Sequence, residues 1–281
     1  MVGVPEPSWT VVMPVKRLGV AKSRLRGALT GVPHEELALA LAADTVRAAL
    51  SCPAVGRLLV VTDDPRVSAT VTAAGAGVAA DPGAGLNAAF RHGAAAAGPR
   101  AAVAGVTADL PALRPAELAA ALRAAEGVRG FVSDAPGAGT VLLAAPAGVP
   151  LAPRFGPGSA GAHAASGALP LAGDWPSLRR DVDTGDDLAA AARLGVGPRT
   201  GALLAAAGVP LRYGAGMQGT VATYDASTRS GMLLLDDGTE LAFPARAFDA
   251  SGLRLLRLGQ RVRVERDAAG EVVRVTLPTM A

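Results

Sequence analysis

From residue 9 to about 210 the chain alternates short, continuous apolar runs with longer stretches of helical period. No other feature limits its fold as strongly. Thr10–Val15 (TVVMPV) reads as a buried strand, and Pro33–Leu50 as a helix with Pro33 in its first turn and Glu35 and Glu36 close behind. Strands at Leu58–Thr62, Val78–Ala80, Ala101–Val106 and Gly130–Ser133 alternate with helices at Pro65–Ala74, Leu86–Ala97 and Pro115–Glu126. Strands that are apolar throughout must be covered on both faces, so the pattern predicts an α/β domain with a mostly parallel sheet between helical layers. Ligands of such sheets bind beyond the carboxyl ends of the strands. The residues that follow each strand are therefore the ones to examine.

From about Tyr213 the texture changes to short alternating strands separated by DDG, ASG, LGQ and DAAG turns, an all-β signature. Two domains are expected, 1–213 and 214–281, with the glycine-rich segment Gly208–Gly216 as linker.

Composition narrows the function classes. The formal net charge is +3, too mild to imply a nucleic-acid or membrane partner. Cys52 is the single cysteine, so neither a disulfide framework nor a thiolate metal site is available. The start MVGVPEPSW lacks a basic region followed by an apolar one, and no long uncharged apolar stretch suggests a membrane span. The expectation is a cytoplasmic protein.

The chain has no Ile, one Asn (Asn87) and only two lysines, Lys16 and Lys22, against many arginines. In a sequence drifted this far toward GC-rich codons, a surviving Lys or Asn marks a place where Arg or Asp will not serve. Both lysines fall in PVKRLGVAKSRLR, directly after the first strand, with Arg17, Arg24 and Arg26 among them. Arginine forks hold phosphates bidentately, whereas an ammonium is a compact charge able to follow a moving phosphoryl group. The loop reads as a polyphosphate trap, with Lys16, Lys22 and Arg24 as catalytic cations and Arg17 on the nucleotide. GVAKS is no Walker A loop, because Lys16 and Ala21 stand where that motif needs glycine.

Asp109 ends an apolar run in TADLP, and Asp181 and Asp183 form a DVD ahead of a helix start in DVDTGDDL, with Thr184 or Asp186 as its cap. Alternation along an extended segment puts Asp181 and Asp183 on one side, so three carboxylates from two strand ends could hold a hard cation such as Mg²⁺. Three glycine-rich loops add backbone donors for anions: DPGAGLN with Gly85 and Asn87, APGAGT with Thr140, and FGPGS with Gly156 and Ser159. No Ser-His-Asp or Cys-His arrangement is visible. Cations for a triphosphate, carboxylates for a metal and donors for a second anion describe in-line attack of one phosphate on another with pyrophosphate leaving.

Taken in order, PVKRLGVAKSRL, GLN at 85–87, ADLP at 108–111, GAGT at 137–140, FGPGS and DVDTGDDL resemble the phosphoenolpyruvate/2-phospho-L-lactate guanylyltransferases of deazaflavin coenzyme F(420) biosynthesis, over roughly residues 9–200. The resemblance implies a nucleotide-diphospho-sugar-transferase-like fold. It also implies GTP as nucleotide, Mg²⁺ on Asp109, Asp181 and Asp183, and a phosphorylated three-carbon acid near Thr140, Gly156 and Ser159. The chain departs from the family pattern at Val141 and Ala160, where Asn and an aromatic are usual, and both positions touch the acceptor pocket. A sugar phosphate or molybdopterin stays open as acceptor.

Residues 214–281 resemble a cold-shock-like OB-fold, through GTVATYD, GMLLLDDGTELAF and LRLGQRVRVE. Such folds stack bases on aromatics over a basic face. Here arginines and acids balance to zero net charge, and only Tyr224, Phe243 and Phe248 could stack. A packing or protein-interaction module is favoured over a single-strand RNA binder. A homodimer or a downstream pathway enzyme also remains open as partner.

Overall fold

A computed structural model describes residues 9–209, 213–235, 238–266 and 271–277. The start of MVGVPEPSW, part of the expected linker (210–212), two residues of the DDG turn (236–237) and the DAAG turn (267–270) lie outside the described residues. The chain divides into two compact units, Met1–Ala191 with Val196–Leu203, and Ala192–Gly195 with Leu204–Ala281. Among the described residues no helix is long and apolar enough to cross a membrane.

In chain order the elements are β1 (Trp9–Pro14), α1 (His34–Leu50), β2 (Val55–Val61), α2 (Pro65–Ala73), β3 (Gly77–Ala79), α3 (Leu86–Ala97) and β4 (Val103–Val106). They continue with α4 (Pro115–Ala124), β5 (Gly130–Ser133), β6 (Thr140–Ala145), α5 (Ser159–Ala165), β7 (Leu169–Pro170), α6 (Pro176–Arg179), α7 (Gly185–Leu194) and α8 (Pro198–Ala206). The first seven strands form one sheet in the order β3-β2-β1-β4-β6-β5-β7. β1 runs parallel to β2 and β4, while β6 runs antiparallel to both β4 and β5. The sheet is thus mixed and mostly parallel. Its one reversal puts the start of β6 on the same side as the ends of β4 and β5.

Alternation along the strands sorts side chains onto two faces. Val11, Met13, Leu58, Val60 and Leu142 join one core with Ala42 and Val46 of α1 and Leu118 and Leu122 of α4. Val12, Val61, Phe131 and Leu143 join the other with Ala89 and Phe90 of α3 and with Phe155. Helix α3 lies close against its face because Gly93 has no side chain: a Cβ there would stand 2.3 Å from Val12.

One buried carboxylate ties this scaffold to the loop after β1. Asp64 caps α2 by accepting from the N–H groups of Arg66 (2.9 Å) and Val67 (3.2 Å), and its other oxygen accepts from Leu18 N–H at 2.9 Å. Burial alone would raise the carboxyl, but the hydrogen bonds from Leu18, Val67 and Arg66 outweigh it and hold Asp64 below the usual range.

The second unit is an antiparallel sheet of β8 (Tyr213–Asp225), β9 (Ser230–Leu235), β10 (Glu240–Phe243), β11 (Arg261–Arg266) and β12 (Val272–Thr276), with α9 (Ala245–Asp249) between β10 and β11. Its order is β10-β9-β8-β11-β12, and the two edge strands approach each other, so the sheet curls into a half-barrel. Phe243 and Phe248 are buried in its core with Tyr224 packed against them.

Asp64→Ala should lower the unfolding free energy by about 1–2 kcal/mol at pH 7, because a cap and a loop anchor go together. A carboxyl depressed in the native state stabilises above its unfolded pKa, and that contribution is lost as pH falls through the folded value. The gap to wild type should therefore close below about pH 4. Urea titrations at pH 7 and at acid pH check this, and a gap that does not change with pH would refute the assignment.

Candidate active site

The loop that follows β1 is pinned at several points. Val15 N–H extends the parallel ladder by donating to Val61 O at 2.9 Å, Leu18 N–H is held by Asp64, and Leu18 and Leu25 are buried. The polar side chains of Lys16, Arg17 and Arg24 are left exposed. Between the two leucine anchors, Lys22 takes φ +51°, a left-handed conformation that costs a non-glycine residue about 1 kcal/mol. That turn is accompanied by a double ion pair: Lys22 Nζ contacts Asp109 Oδ2 and lies 2.5 Å from Asp183 Oδ1.

Asp109 is positioned by three elements gripping the backbone beside it. Leu110 N–H donates to Thr45 Oγ1 of α1 (2.9 Å), Asp109 O accepts from Val182 N–H (3.0 Å), and Pro111 O accepts from Gly197 N–H (2.8 Å). The Val182 bond also fixes the DVD segment, with Val182 buried, Asp181 half-buried and Asp183 exposed. Thr184 and Asp187 then close a reciprocal cap on α7, Asp187 N–H to Thr184 Oγ1 (3.2 Å) and Thr184 N–H to Asp187 Oδ2 (3.0 Å). Asp181 and Asp183 do not end a strand as expected. They lie in the connection from α6 to α7, which borrows one β-type hydrogen bond from Asp109.

The electrostatics are set by crowding. Burial works against the Lys22 ammonium, yet attraction by Asp109 and then Asp183 outweighs it and holds the group charged, above the ordinary lysine range. Burial, followed by the like charges of Asp109 and Asp183, pushes Asp181 up to about 7. Among the described residues no group of three or more acids, histidines or cysteines is arranged as an ion site. The reason is visible: the ammonium of Lys22 stands between Asp109 and Asp183, where a cation would. The donors still suit a hard cation. Asp109 Oδ1 is buried without a hydrogen-bond partner, and all three side chains offer carboxylate oxygen.

Beyond the ends of β1 and β4 these groups line a cleft of about 390 Å³. Lys16, Lys22 and Arg24 meet Asp109 and Asp183 there, against an apolar wall that includes Leu41 of α1 and Leu86 and Phe90 of α3. Arg17 is not among the lining residues: it pairs with exposed Asp63 at 2.7 Å. Gly85 caps α3 with φ +88°. Asn87 is committed to scaffolding, its amide nitrogen donating to Phe155 O (2.9 Å) and its amide oxygen accepting from Phe155 N–H (2.7 Å). The sole asparagine thus ties α3 to the FGPGS loop.

Thr140, Gly156 and Ser159 gather on a second, adjoining piece of structure. Thr107 N–H donates to Val141 O (3.0 Å), so Thr140 stands at the start of β6 beside the strand that leads to Asp109. Ala160 N–H donates to Ala138 O (3.1 Å), joining the GAGT loop to α5. Thr140 and Ser159 are buried, and Gly156 is exposed with φ +140°. Asp134, which sequence reasoning missed, follows β5 on the same side of the sheet. Its Oδ2 accepts from Gly139 N–H (2.8 Å), its Oδ1 is buried and unpartnered, and its charge adds to the upward push on Asp181. The rule that singled out Asp109, a carboxylate just past a strand end, would have found it.

The chain is similar to several known proteins. The family described as "Guanylyl transferase CofC like" matches residues 9–158. A phosphoenolpyruvate guanylyltransferase of Salinispora arenicola is 69% identical over 206 residues, which is 72% of this chain and 95% of the relative. One from Geodermatophilus obscurus is 59% identical over 210 residues, 72% of this chain and 97% of that protein. Among solved structures, a nucleotidyl transferase from Methanothermobacter thermautotroptrophicus aligns with a TM-score of 0.46 at 19% identity, covering 65% of this chain and 95% of that one. The chain belongs to the CofC-like guanylyl transferase family and is a nucleotidyltransferase.

Proposed function

We propose that the protein condenses GTP with phosphoenolpyruvate, giving a guanosine diphospho-linked enolpyruvate and pyrophosphate, a step toward a deazaflavin coenzyme. An oxygen of the acid's phosphate attacks the α-phosphorus of GTP. The new P–O bond forms as the α–β bridging P–O bond breaks, and pyrophosphate leaves with the electron pair. The observation that carries this reading is the meeting of Lys22 with Asp109 and Asp183 in one cleft that Lys16 and Arg24 also line. The relatives' names supply the acceptor.

In-line transfer between phosphates needs positioning and charge neutralisation and no protein nucleophile. Lys16 and Arg24 hold the triphosphate at the cleft mouth, and Lys22 neutralises charge near the reacting phosphorus. Asp109, Asp181 and Asp183 would hold Mg²⁺, which supplies charge neutralisation on the phosphates when bound. Thr140, Gly156 and Ser159 hold the acid. Thr140 is buried at the start of β6, beside the strand that leads to Asp109, and Ser159 is buried at the start of α5, so an acid bound by them lies toward the carboxylate end of the cleft. The half-barrel of the second unit is read as an OB-like packing or interaction module. With Phe243 and Phe248 in its core, it lacks the exposed aromatic platform that single-strand binding needs.

With GTP and phosphoenolpyruvate, Lys22→Ala and Asp109→Asn should each cut pyrophosphate release at least about 100-fold. Lys22→Arg should not rescue, since a planar fork cannot replace a point charge between two carboxylates. Near-normal turnover in any of the three would sink the assignment. Lys22→Met should also lower Tm by about 3–6 °C in EDTA, because Asp109 and Asp183 lose their counterion, and millimolar Mg²⁺ should restore much of that loss. A melting curve indifferent to the metal would show that these carboxylates are not its ligands. In a screen of four triphosphates against phosphorylated acids, GTP with phosphoenolpyruvate should give the highest kcat/KM. Activity with a sugar phosphate and none with phosphoenolpyruvate would favour the rival acceptor.

A further inference from the structure

The acceptor half holds a histidine that no step above uses. His163 in α5 is fully buried, edge-on to Phe155 with ring centroids 5.1 Å apart and tilted toward Phe131 at 5.9 Å. Its two nitrogens have different, fixed partners. Arg154 N–H donates to Nε2 at 2.9 Å, so Nε2 is the acceptor and the neutral ring carries its proton on Nδ1. Nδ1 lies 2.9 Å from Thr140 Oγ1, so the ring donates and the hydroxyl oxygen accepts. Burial, then the charges of Arg129 and Arg154, outweigh a contact of the ring with the Ser159 backbone and push it down to about 4, which keeps it neutral. The Thr140 O–H cannot point back at a protonated Nδ1, and among the described residues Thr140 Oγ1 has no other hydrogen-bond partner. A buried hydroxyl whose oxygen already accepts from the ring, with its own proton unspent, is a ready donor to an anion.

We propose that His163 is a positioning residue of the acceptor site, whose Nδ1–H holds the Thr140 hydroxyl with its proton turned toward an anionic oxygen of the phosphorylated acid. This rests on the reading of Thr140 as an acceptor ligand. The same ring, by taking Arg154 N–H, fixes the backbone that leads into Phe155 and Gly156, so one side chain sets both walls of the acceptor pocket.

Two substitutions separate the two nitrogens. His163→Asn places an amide donor near the Nδ1 position, and His163→Gln places an amide oxygen near Nε2 while removing the donor to Thr140. Steady-state kinetics with GTP and phosphoenolpyruvate should show the acceptor KM rising about tenfold in His163→Gln, with the GTP KM and kcat within about twofold. His163→Asn, which keeps that donor but gives up the Arg154 bond, should raise the acceptor KM by a smaller factor, about threefold. Equal acceptor KM values in the two variants, or equal rises for GTP and acceptor, would overturn the proposal. Thr140→Val keeps the two levels apart. If it leaves the acceptor KM unchanged, the acceptor-site reading falls and the histidine's role with it. If Thr140→Val raises that KM and His163→Gln does not, only the role of His163 falls. Should either histidine variant fail to fold, ¹⁵N-histidine NMR of the wild-type chain, which has three histidines, still decides. A neutral ring protonated at Nδ1 that shifts on adding phosphoenolpyruvate supports the proposal, and a ring protonated at Nε2 refutes it.

Discussion

A single ammonium holds this site together. Asp109, Asp181 and Asp183 are brought close by backbone hydrogen bonds, and three carboxylates at that spacing repel unless something positive stands among them. In the free protein that charge is Lys22, bonded to Asp109 and Asp183. Asp181 has no such partner and responds by holding its proton toward neutral pH. The left-handed backbone at Lys22 fits the same account. A conformation costing about 1 kcal/mol is maintained because the loop is anchored on both sides, by Asp64 on Leu18 and by the burial of Leu25. A guanidinium would be a poor substitute, being too broad to sit between two carboxylates of different elements, which gives a physical reason for lysine in a chain that otherwise uses arginine.

The two halves of the site meet because the sheet reverses once. Had every strand been parallel, the GAGT loop, which precedes β6, would open on the opposite edge from Asp109. With β6 antiparallel to β4, residue 140 lies level with the strand end that delivers Asp109, and Asp134 at the end of β5 joins them. The cations after β1 and the hydroxyl of Thr140 then share one edge. Asn87 and His163 tie separate segments of that edge together, and Asp134 closes the turn before β6.

Much of this was legible in the sequence. Apolar runs located five of the seven strands to within a few residues, and the helix at Leu86–Ala97 matches its expected bounds. The two-residue strand β7 had no signal, since Leu169–Pro170 is exposed and carries no periodicity. Lys22 and Asp109 were singled out by residue type and position after a strand, and the structure brings the two together. Asp181 and Asp183 were found for a partly wrong reason: spacing gave their common side, but the bond that presents them comes from Asp109, more than seventy residues earlier in the chain, and no local pattern encodes it. The rarity of Asn87 was a sound signal of necessity that misidentified the need. Its two bonds to the Phe155 backbone require an amide, with a donor and an acceptor on one short side chain, and aspartate could supply only half of that. Arg17 shows the limit of charge counting, because its partner Asp63 was visible only as a residue after another strand.

The division of the chain carries a consequence for the chemistry. Every residue lining the cleft lies between Pro14 and Asp183, and the Thr140–His163 pair lies within the same stretch. The relatives are matched over nearly their whole length by about 72% of this chain, leaving a remainder comparable in size to the second unit without counterpart in them. The groups proposed above for guanylyl transfer all lie in the first unit. That unit has its own buried core of Val221, Leu233, Phe243, Phe248 and Val262, so it does not depend on the first for its apolar burial. Phe243 and Phe248 are buried, Tyr224 is half-buried against them, and residues 214–281 carry no net charge, which favours packing over attraction of a polyanion. The ammonium and carboxylates assigned to the site above are held by bonds within the first unit: Asp64 on Leu18, Thr45 on Leu110 and Asp109 on Val182.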